Sequence, residues 1–202
     1  MNIRTLNDVF FTVARRTDDR AMLTCESGVW KPISSAQLHR WVMATARQMR
    51  EWGIRKGDRV VILSENRPEW AVTDFATLLL GGIAVPIYAT QTADQLLHLL
   101  QHSEARIAFV STRKQYEKVE SIRAQTNLER VVVMDKIDDL PDVPQMQYIL
   151  GGASDPPDSE IETIANTIQS DDVATLIYTS GTTGTAKGVI LTHGNIASNL
   201  GM

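Results

Sequence analysis

Between Thr179 and Lys187 the chain sets five hydroxyl side chains within seven residues, Thr179, Ser180, Thr182, Thr183 and Thr185, with Gly181 and Gly184 among them and one lysine at the far end. Glycines let backbone N–H groups come close to an anion, and hydroxyls add further donors and hard oxygen ligands for a divalent cation. Lys187 supplies a compact positive charge. Together these groups suit a polyphosphate. The pattern differs from a Walker A loop, which ends in Gly-Lys-Ser/Thr and opens a helix. Here Ala186 precedes the lysine, Gly188 follows it, and Val189-Ile190-Leu191 continues as a strand. With no helix N-terminus directly behind the phosphates, the hydroxyls and the lysine must stabilise the anion themselves. On these residues alone, a polar hairpin loop with no ligand stands beside the phosphate reading. A kinase or GTPase of the P-loop type is disfavoured by the missing motif and the missing helix.

Other chemistry-bearing residues have plainer readings. His193 follows the second strand with no carboxylate or nucleophile at motif spacing, so it is expected to open a helix. His98 and His102 stand four apart, as metal ligands on a helix can, but no glutamate follows His98 where a zinc protease needs one; an exposed helical face is expected. Asp171 and Asp172 read as solvated turn residues before a strand. Cys25 is the only cysteine, which excludes an intramolecular disulfide and a cysteine-cluster zinc site; it is expected to be a small buried hydrophobe.

The elements that must position the loop follow from periodicity. Residues 6–16 carry a helical apolar face, and 22–25 and 29–30 flank Ser27-Gly28 as a hairpin. Ser34 and Gln37 form a capping-box pattern before a helix whose stripe is Leu38, Trp41, Val42, Thr45, Met49 and Trp52, ended by Gly53. Strands at 59–63, 83–88, 107–110 and 130–134 then alternate with helices: one opening at Asn66-Arg67-Pro68, one capped by Thr92 and Gln95, and a charged one over 116–124. Parallel neighbours need crossovers of this length, so an α/β fold is expected, its mainly parallel sheet flanked by helices on both faces. Residues 135–159 are rich in Pro, Gly and Asp and read as an internal loop. Asn195 reads as a further helix start.

Composition narrows the classes. The 202 residues are 43% hydrophobic and 22% charged, in the globular range, and a net charge of −4 argues against a general nucleic-acid binder. The first residues lack the features of a signal peptide, and the longest apolar stretch, 78–89, is short and broken by Gly81, Gly82 and Pro86. A soluble cytoplasmic protein is expected.

Tyr178 to Gly188, YTSGTTGTAKG, closely resembles the phosphate-binding signature of the adenylate-forming superfamily, with Ala186 where that family usually has proline. Ser64-Glu65-Asn66-Arg67-Pro68-Glu69-Trp70 and Gly82-Ile83-Ala84-Val85-Pro86-Ile87-Tyr88 resemble its long-chain fatty acid–CoA ligase branch. The resemblance runs along the whole chain. It implies a two-step ligase that uses ATP, Mg2+ and coenzyme A on a fatty acid, with peripheral membrane contact of the parent left open. Thr179, Ser180, Gly181, Thr182, Thr183, Gly184 and Lys187 would then hold the ATP phosphates, and Thr182 would be the magnesium ligand. The family's adenine, ribose and acyl segments and its C-terminal lid find no counterpart, so 1–202 is expected to be an incomplete N-terminal portion of the large domain. It is expected to be inactive alone, with no catalytic residue assigned within it. An aryl, short- or medium-chain acid ligase, an acyl-AMP ligase, or a non-catalytic module of this fold are the alternatives. Without phosphate, residues 179–188 are expected to be mobile.

Overall fold

The first helix, α1 (Leu6–Ala14), starts at a full capping box: the Thr5 hydroxyl accepts from the Asp8 N–H, and the Asp8 carboxylate accepts from the Thr5 N–H at 3.0 Å. The computed structural model in which it is seen describes residues 3–152, 159–179 and 186–200. Strands β1 (Met22–Glu26) and β2 (Val29–Ile33) form a separate antiparallel hairpin across the two-residue Ser27-Gly28 turn. Helix α2 (Ser35–Glu51) follows; the Ser34 hydroxyl caps the Gln37 N–H. Of its apolar stripe, Leu38, Val42, Thr45 and Met49 are buried, and Trp41 and Trp52 pack against the same cluster. Gly53 closes the helix at φ +91°, with Gly53 N–H on the Arg50 carbonyl and Ile54 N–H on that of Met49, a Schellman ending that glycine accommodates best.

The main sheet is built by β3 (Arg59–Leu63), α3 (Pro68–Leu79), β4 (Ile83–Ile87), α4 (Ala93–Ser103), β5 (Ile107–Val110), α5 (Arg113–Arg123) and β6 (Arg130–Val133). Two short helices, α6 (Met146–Gly151) and α7 (Ser159–Asn166), lead to β7 (Val173–Thr179), β8 (Lys187–Thr192) and α8 (His193–Ala197). The strand order is β6-β5-β3-β4-β7-β8, parallel throughout except for β8, which runs antiparallel to β7. The α/β architecture expected from the alternation is therefore the one found. Val61 pairs with both Val85 and Ala108, and Ala108 with Val131. Alternate residues serve opposite faces. Val60, Ile62, Ile107, Phe109 and Val132 pack under α1, α2, α3, α6 and α7, while Val61, Leu63, Val85, Ala108 and Val131 pack under α4 and α5. Burial on both faces explains why these strands read as unbroken apolar runs.

Several boundaries and surroundings differ from the sequence expectations. Strands β4 and β6 end one residue earlier, at Ile87 and Val133, and Tyr88 is 77% exposed. Helix α5 begins at Arg113 because the Thr112 hydroxyl caps the Gln115 N–H. The segment 135–159 is not simply a loop: α6 forms within it because Met146 is buried in the core. The buried Gln145 amide just before α6 accepts from Ile137 N–H and donates to the Ile137 and Leu140 carbonyls, folding the prolines and aspartates around a polar knot. Cys25 is exposed, since the two-stranded hairpin covers only one of its faces. Among the described residues no helix is long and apolar enough to cross a membrane.

Asp74, half-buried on α3, is reached by no hydrogen bond or ion pair among the described residues, and burial pushes its carboxyl from 3.8 up to about 7. The folded state then keeps a proton that the unfolded chain has released, so stability falls as pH rises from about 4 through 7. A tenfold difference in proton affinity between the folded and unfolded carboxyl is worth about 1.4 kcal/mol, and partial exposure reduces the total to the order of 1–2 kcal/mol. Asp74→Asn is expected to raise the unfolding free energy above pH 7 by that amount and to flatten the fall; parallel stability-versus-pH curves for the two proteins would show the carboxylate to be solvated.

Candidate active site

Strands β7 and β8 form an antiparallel hairpin at one end of the sheet, and Thr179 pairs directly with Lys187 at its mouth. Of the seven residues that join them, 180–185 lie outside the described residues, and with them the expectations for Ser180, Gly181, Thr182, Thr183 and Gly184. Thr179, Lys187 and Gly188, for which mobility was also expected, are ladder residues. Lys187 is exposed and no ion pair reaches it among the described residues, so its charge is open to an anion. Opposite Tyr178 the ladder places Gly188, where a Cβ would stand 2.7 Å from Leu176 Cδ1 and 3.5 Å from Tyr178 Cε1. Only a hydrogen there leaves room for both side chains. The strands are less buried than their sequence suggests: Ile177, Val189 and Ile190 are 37%, 43% and 62% exposed.

The foot of the hairpin is held by charge and by backbone. Lys56 Nζ lies 2.6 Å from Asp172 Oδ2, which also accepts from Gln169 N–H at 2.8 Å. Asp172 is therefore a fixed joint, not a freely solvated turn residue. His193 is fully buried as the first residue of α8, confirming it as a helix opener. Its Nδ1 accepts the Leu6 N–H at 3.2 Å and so ties this helix to α1. The helix starts two residues before Asn195, because Thr192 is the cap and Asn195 closes the box by returning a bond to the Thr192 N–H.

Beside the hairpin lies a cleft of about 260 Å³ lined by Ser64, Asn66 and Trp70 after β3, Pro86, Ile87 and Tyr88 at the end of β4, and Ile177 and Tyr178 from β7. Its position at the carboxyl ends of parallel strands is where open α/β sheets bind ligands. The two segments that resemble the fatty acid–CoA ligases, 64–70 and 82–88, thus meet each other and the hairpin at one place. A larger groove of about 490 Å³ lies between the β1–β2 hairpin and the start of α3. It does not touch the β7–β8 hairpin, so size alone does not mark the site. Arg67 braces the rim of the cleft. Its guanidinium bonds Glu69 at 2.8 Å, Asp135 at 2.8 Å and the Ser111 carbonyl at 3.3 Å, joining the carboxyl ends of β3, β5 and β6.

His102 Nδ1 lies 2.7 Å from the Tyr178 hydroxyl, and no cluster of three metal-ligating side chains exists among the described residues. Half-buried His98 lies behind it, the ring centroids 6.0 Å apart and the planes tilted by 40°. Burial raises the Tyr178 phenol above its ordinary value, while Ser103 and Arg59 pull it the other way. This contact is not legible from spacing; the available signal is that both histidines share a helix face four residues apart.

The profile of the AMP-binding enzyme family matches residues 10–202. The chain belongs to that family. It is 36% identical over 179 residues to the long-chain-fatty-acid–CoA ligase FadD15 of Mycobacterium bovis, covering 86% of this chain and 28% of that protein. It is 30% identical over 197 residues to the ligase ACSBG2 of Xenopus laevis, covering 95% and 26%. This AMP-binding chain thus spans between a quarter and a third of the length of these relatives. Among solved structures, a long-chain-fatty-acid–CoA ligase (FadD1) from Archaeoglobus fulgidus superposes with a TM-score of 0.76 at 24% identity, over 98% of this chain and 38% of that one. That likeness shows the fold.

His193 yields a test of how the hairpin is anchored in this AMP-binding fold. Burial holds its imidazole below its ordinary value of 6.5, with Lys56 adding to the effect and Asp172 and Asp8 opposing it. The folded state binds fewer protons than the unfolded chain between the lowered value and 6.5, so stability rises with pH across that window and is lost in acid. His193→Asn keeps an acceptor for Leu6 N–H without the titration. It is expected to flatten Tm below about pH 6.5, while His193→Leu, which orphans that N–H, is expected to cost about 1–3 kcal/mol at every pH. An unchanged acid slope in His193→Asn would place the titration elsewhere.

Proposed function

We propose that the protein carrying this chain activates a long-chain fatty acid with ATP and passes the acyl group to coenzyme A. Residues 1–202 are then the N-terminal portion of the AMP-binding large domain, with 135–159 an internal segment of it. The observation that carries this reading is the convergence of the two ligase-like segments with the hairpin, whose mouth presents Thr179 and the exposed Lys187. In the first step the fatty acid carboxylate attacks the α-phosphorus of ATP, forming the acyl-adenylate and releasing pyrophosphate. In the second the coenzyme A thiol attacks the acyl carbon and AMP leaves.

Within this scheme Thr179, Ser180, Gly181, Thr182, Thr183 and Gly184 donate to the phosphates, and Lys187 neutralises charge on the β- and γ-phosphates. The donor set is hydroxyl oxygens and backbone, which is hard-ligand chemistry suited to magnesium, with Thr182 as its ligand. The ion, when bound, offsets charge on the departing pyrophosphate. The protein's own part is positioning and charge stabilisation rather than covalent catalysis. The cytoplasm, with peripheral contact to the membrane into which long-chain acids partition, is the matching location, and no nucleic-acid partner is invoked.

Lys187→Ala in the complete protein separates the two steps. Loss of a charge-assisted phosphate contact is worth ~1.5–3 kcal/mol, about 10- to 150-fold in the rate of acyl-adenylate formation. Pyrophosphate has left before the second step, so thioester formation from pre-made adenylate should change little. Thr182→Val should act similarly and raise the magnesium requirement. ATP–pyrophosphate exchange reports the first step, and synthetic adenylate with coenzyme A reports the second. Equal losses in both would assign the lysine to the fold, and no loss in either would remove the loop from the mechanism.

A further inference from the structure

The upper half of β7 shares little ladder pairing with the sheet. Strands β4 and β7 share a single registered pair, Ala84 with Thr175, strengthened by the Thr175 hydroxyl donating to the Ala84 carbonyl at 2.9 Å. From Leu176 to Thr179 no residue of β7 is registered with β4, although these are the residues that lead into the loop. On its other side β7 pairs only with β8, which is itself the last strand of the sheet. Leu176 and Tyr178 also pack against the core under α4 and α5, which is a non-directional hold; a directional tether from outside the ladder would fix where the mouth sits.

Helix α4 supplies a rigid point for such a tether. Its last carbonyls, those of Ser103 and Glu104, accept from the Arg59 guanidinium at 2.7 and 3.1 Å, which also pairs with the Glu104 carboxylate at 2.9 Å. Arg59 is the first residue of the central strand β3, so the end of α4 is pinned to the sheet. One residue before Ser103, the His102 ring meets the Tyr178 ring edge to face, centroids 5.6 Å apart at 81°, with Nδ1 2.7 Å from the phenol oxygen. Tyr178 is the residue immediately before Thr179 and lies across the ladder from Gly188, which follows Lys187.

We propose that His102 is a positioning residue for the phosphate loop: its imidazole holds the Tyr178 phenol, and through it the Thr179 and Lys187 ends of the loop, at a fixed distance from the sheet. This rests on the reading of the hairpin as the ATP-phosphate clamp. His102 touches no substrate; it acts through Tyr178. With the imidazole neutral and its proton on Nε2, the phenol donates to Nδ1. Asparagine carries a polar atom near the place of Nδ1, so His102→Asn keeps a partner for the phenol, and His102→Ala does not.

The test uses the complete protein. One net hydrogen bond is worth about 3- to 10-fold in affinity. His102→Ala is expected to raise KM for ATP by that factor in ATP–pyrophosphate exchange, and to leave thioester formation from pre-made acyl-adenylate within about twofold of wild type. Tyr178→Phe should match it, and the double variant should be no worse than either single one, because both remove the same contact. His102→Asn should recover most of the affinity. Backbone amide exchange at 176–179 and 187–188, measured without nucleotide, should quicken in His102→Ala and return toward wild type in His102→Asn. Unchanged KM and unchanged amide protection in His102→Ala would overturn the inference, as would additive losses in the double variant or equal losses in both half-reactions. Wild-type protein that exchanges no pyrophosphate would overturn the ATP reading and this inference with it, whereas wild-type exchange with an unaffected His102→Ala overturns the inference alone.

Discussion

The seam between β4 and β7 is the constraint on which the rest depends. Four parallel strands and their helices form a sheet buried on both faces, and the β7–β8 hairpin joins its ladder through one registered pair and one threonine hydroxyl. Thr175 is well chosen for that place. Its β-branched stem suits a strand, and its hydroxyl adds a side-chain bond to a neighbouring carbonyl where the ladder is thin. Below the seam, Asp172 gathers Lys56 and the Gln169 N–H, and the Asp172 carbonyl accepts from His193. Above it, Tyr178 reaches α4. The site is thus a hairpin fixed at three heights by three kinds of interaction, charge at the foot, hydrogen bonding in the middle and an aromatic phenol near the mouth.

The carboxyl ends of the strands need their own bracing, because loops leave there in different directions. Arg67 meets that need with one planar group whose donors reach a neighbour in sequence, the end of β5 and the start of the segment after β6. Lysine, a point charge, has no comparable fork. On the far side of the same rim, Lys118 and Gln115 of α5 donate to the carbonyls of Ala89 and Gln91, holding the connection that leaves β4 past Tyr88. The cleft walls are therefore positioned from both sides by side chains that do not line it.

Much of the sheet was legible because its signals are local. The runs at 59–63 and 107–110 are apolar on both faces, Thr92 and Gln95 cap their helix by contacts three residues apart, and Gly53 ends α2 through its own backbone. At the hairpin, composition alone leaves a bare polar turn and a phosphate loop side by side, and the expectations for residues 180–185 lie outside the described residues. What escaped the sequence are long-range contacts. The Tyr178–His102 pair spans 76 residues, and Thr175 to Ala84 spans 91. No periodicity encodes such a pairing. Cys25 was misplaced for a related reason, because an apolar neighbourhood in sequence does not say whether a strand has one covered face or two. The helix α6 hid in a segment whose prolines and aspartates outweigh Met146 and the buried Gln145 amide that shape it.

Strand β8 ends the sheet with one row of backbone donors and acceptors that no strand pairs among the described residues, and Val189 and Ile190 on it are exposed. Such an edge is a template for any extended polypeptide of suitable register, whether supplied by the same chain or by another molecule. It carries no proline and no inward-pointing charge beyond Lys187 at its first position. Prepared by themselves, these 202 residues would face the colloidal hazard of edge-to-edge growth. The hairpin that presents Lys187 at its mouth thus has a flank that bears on the solubility of these residues.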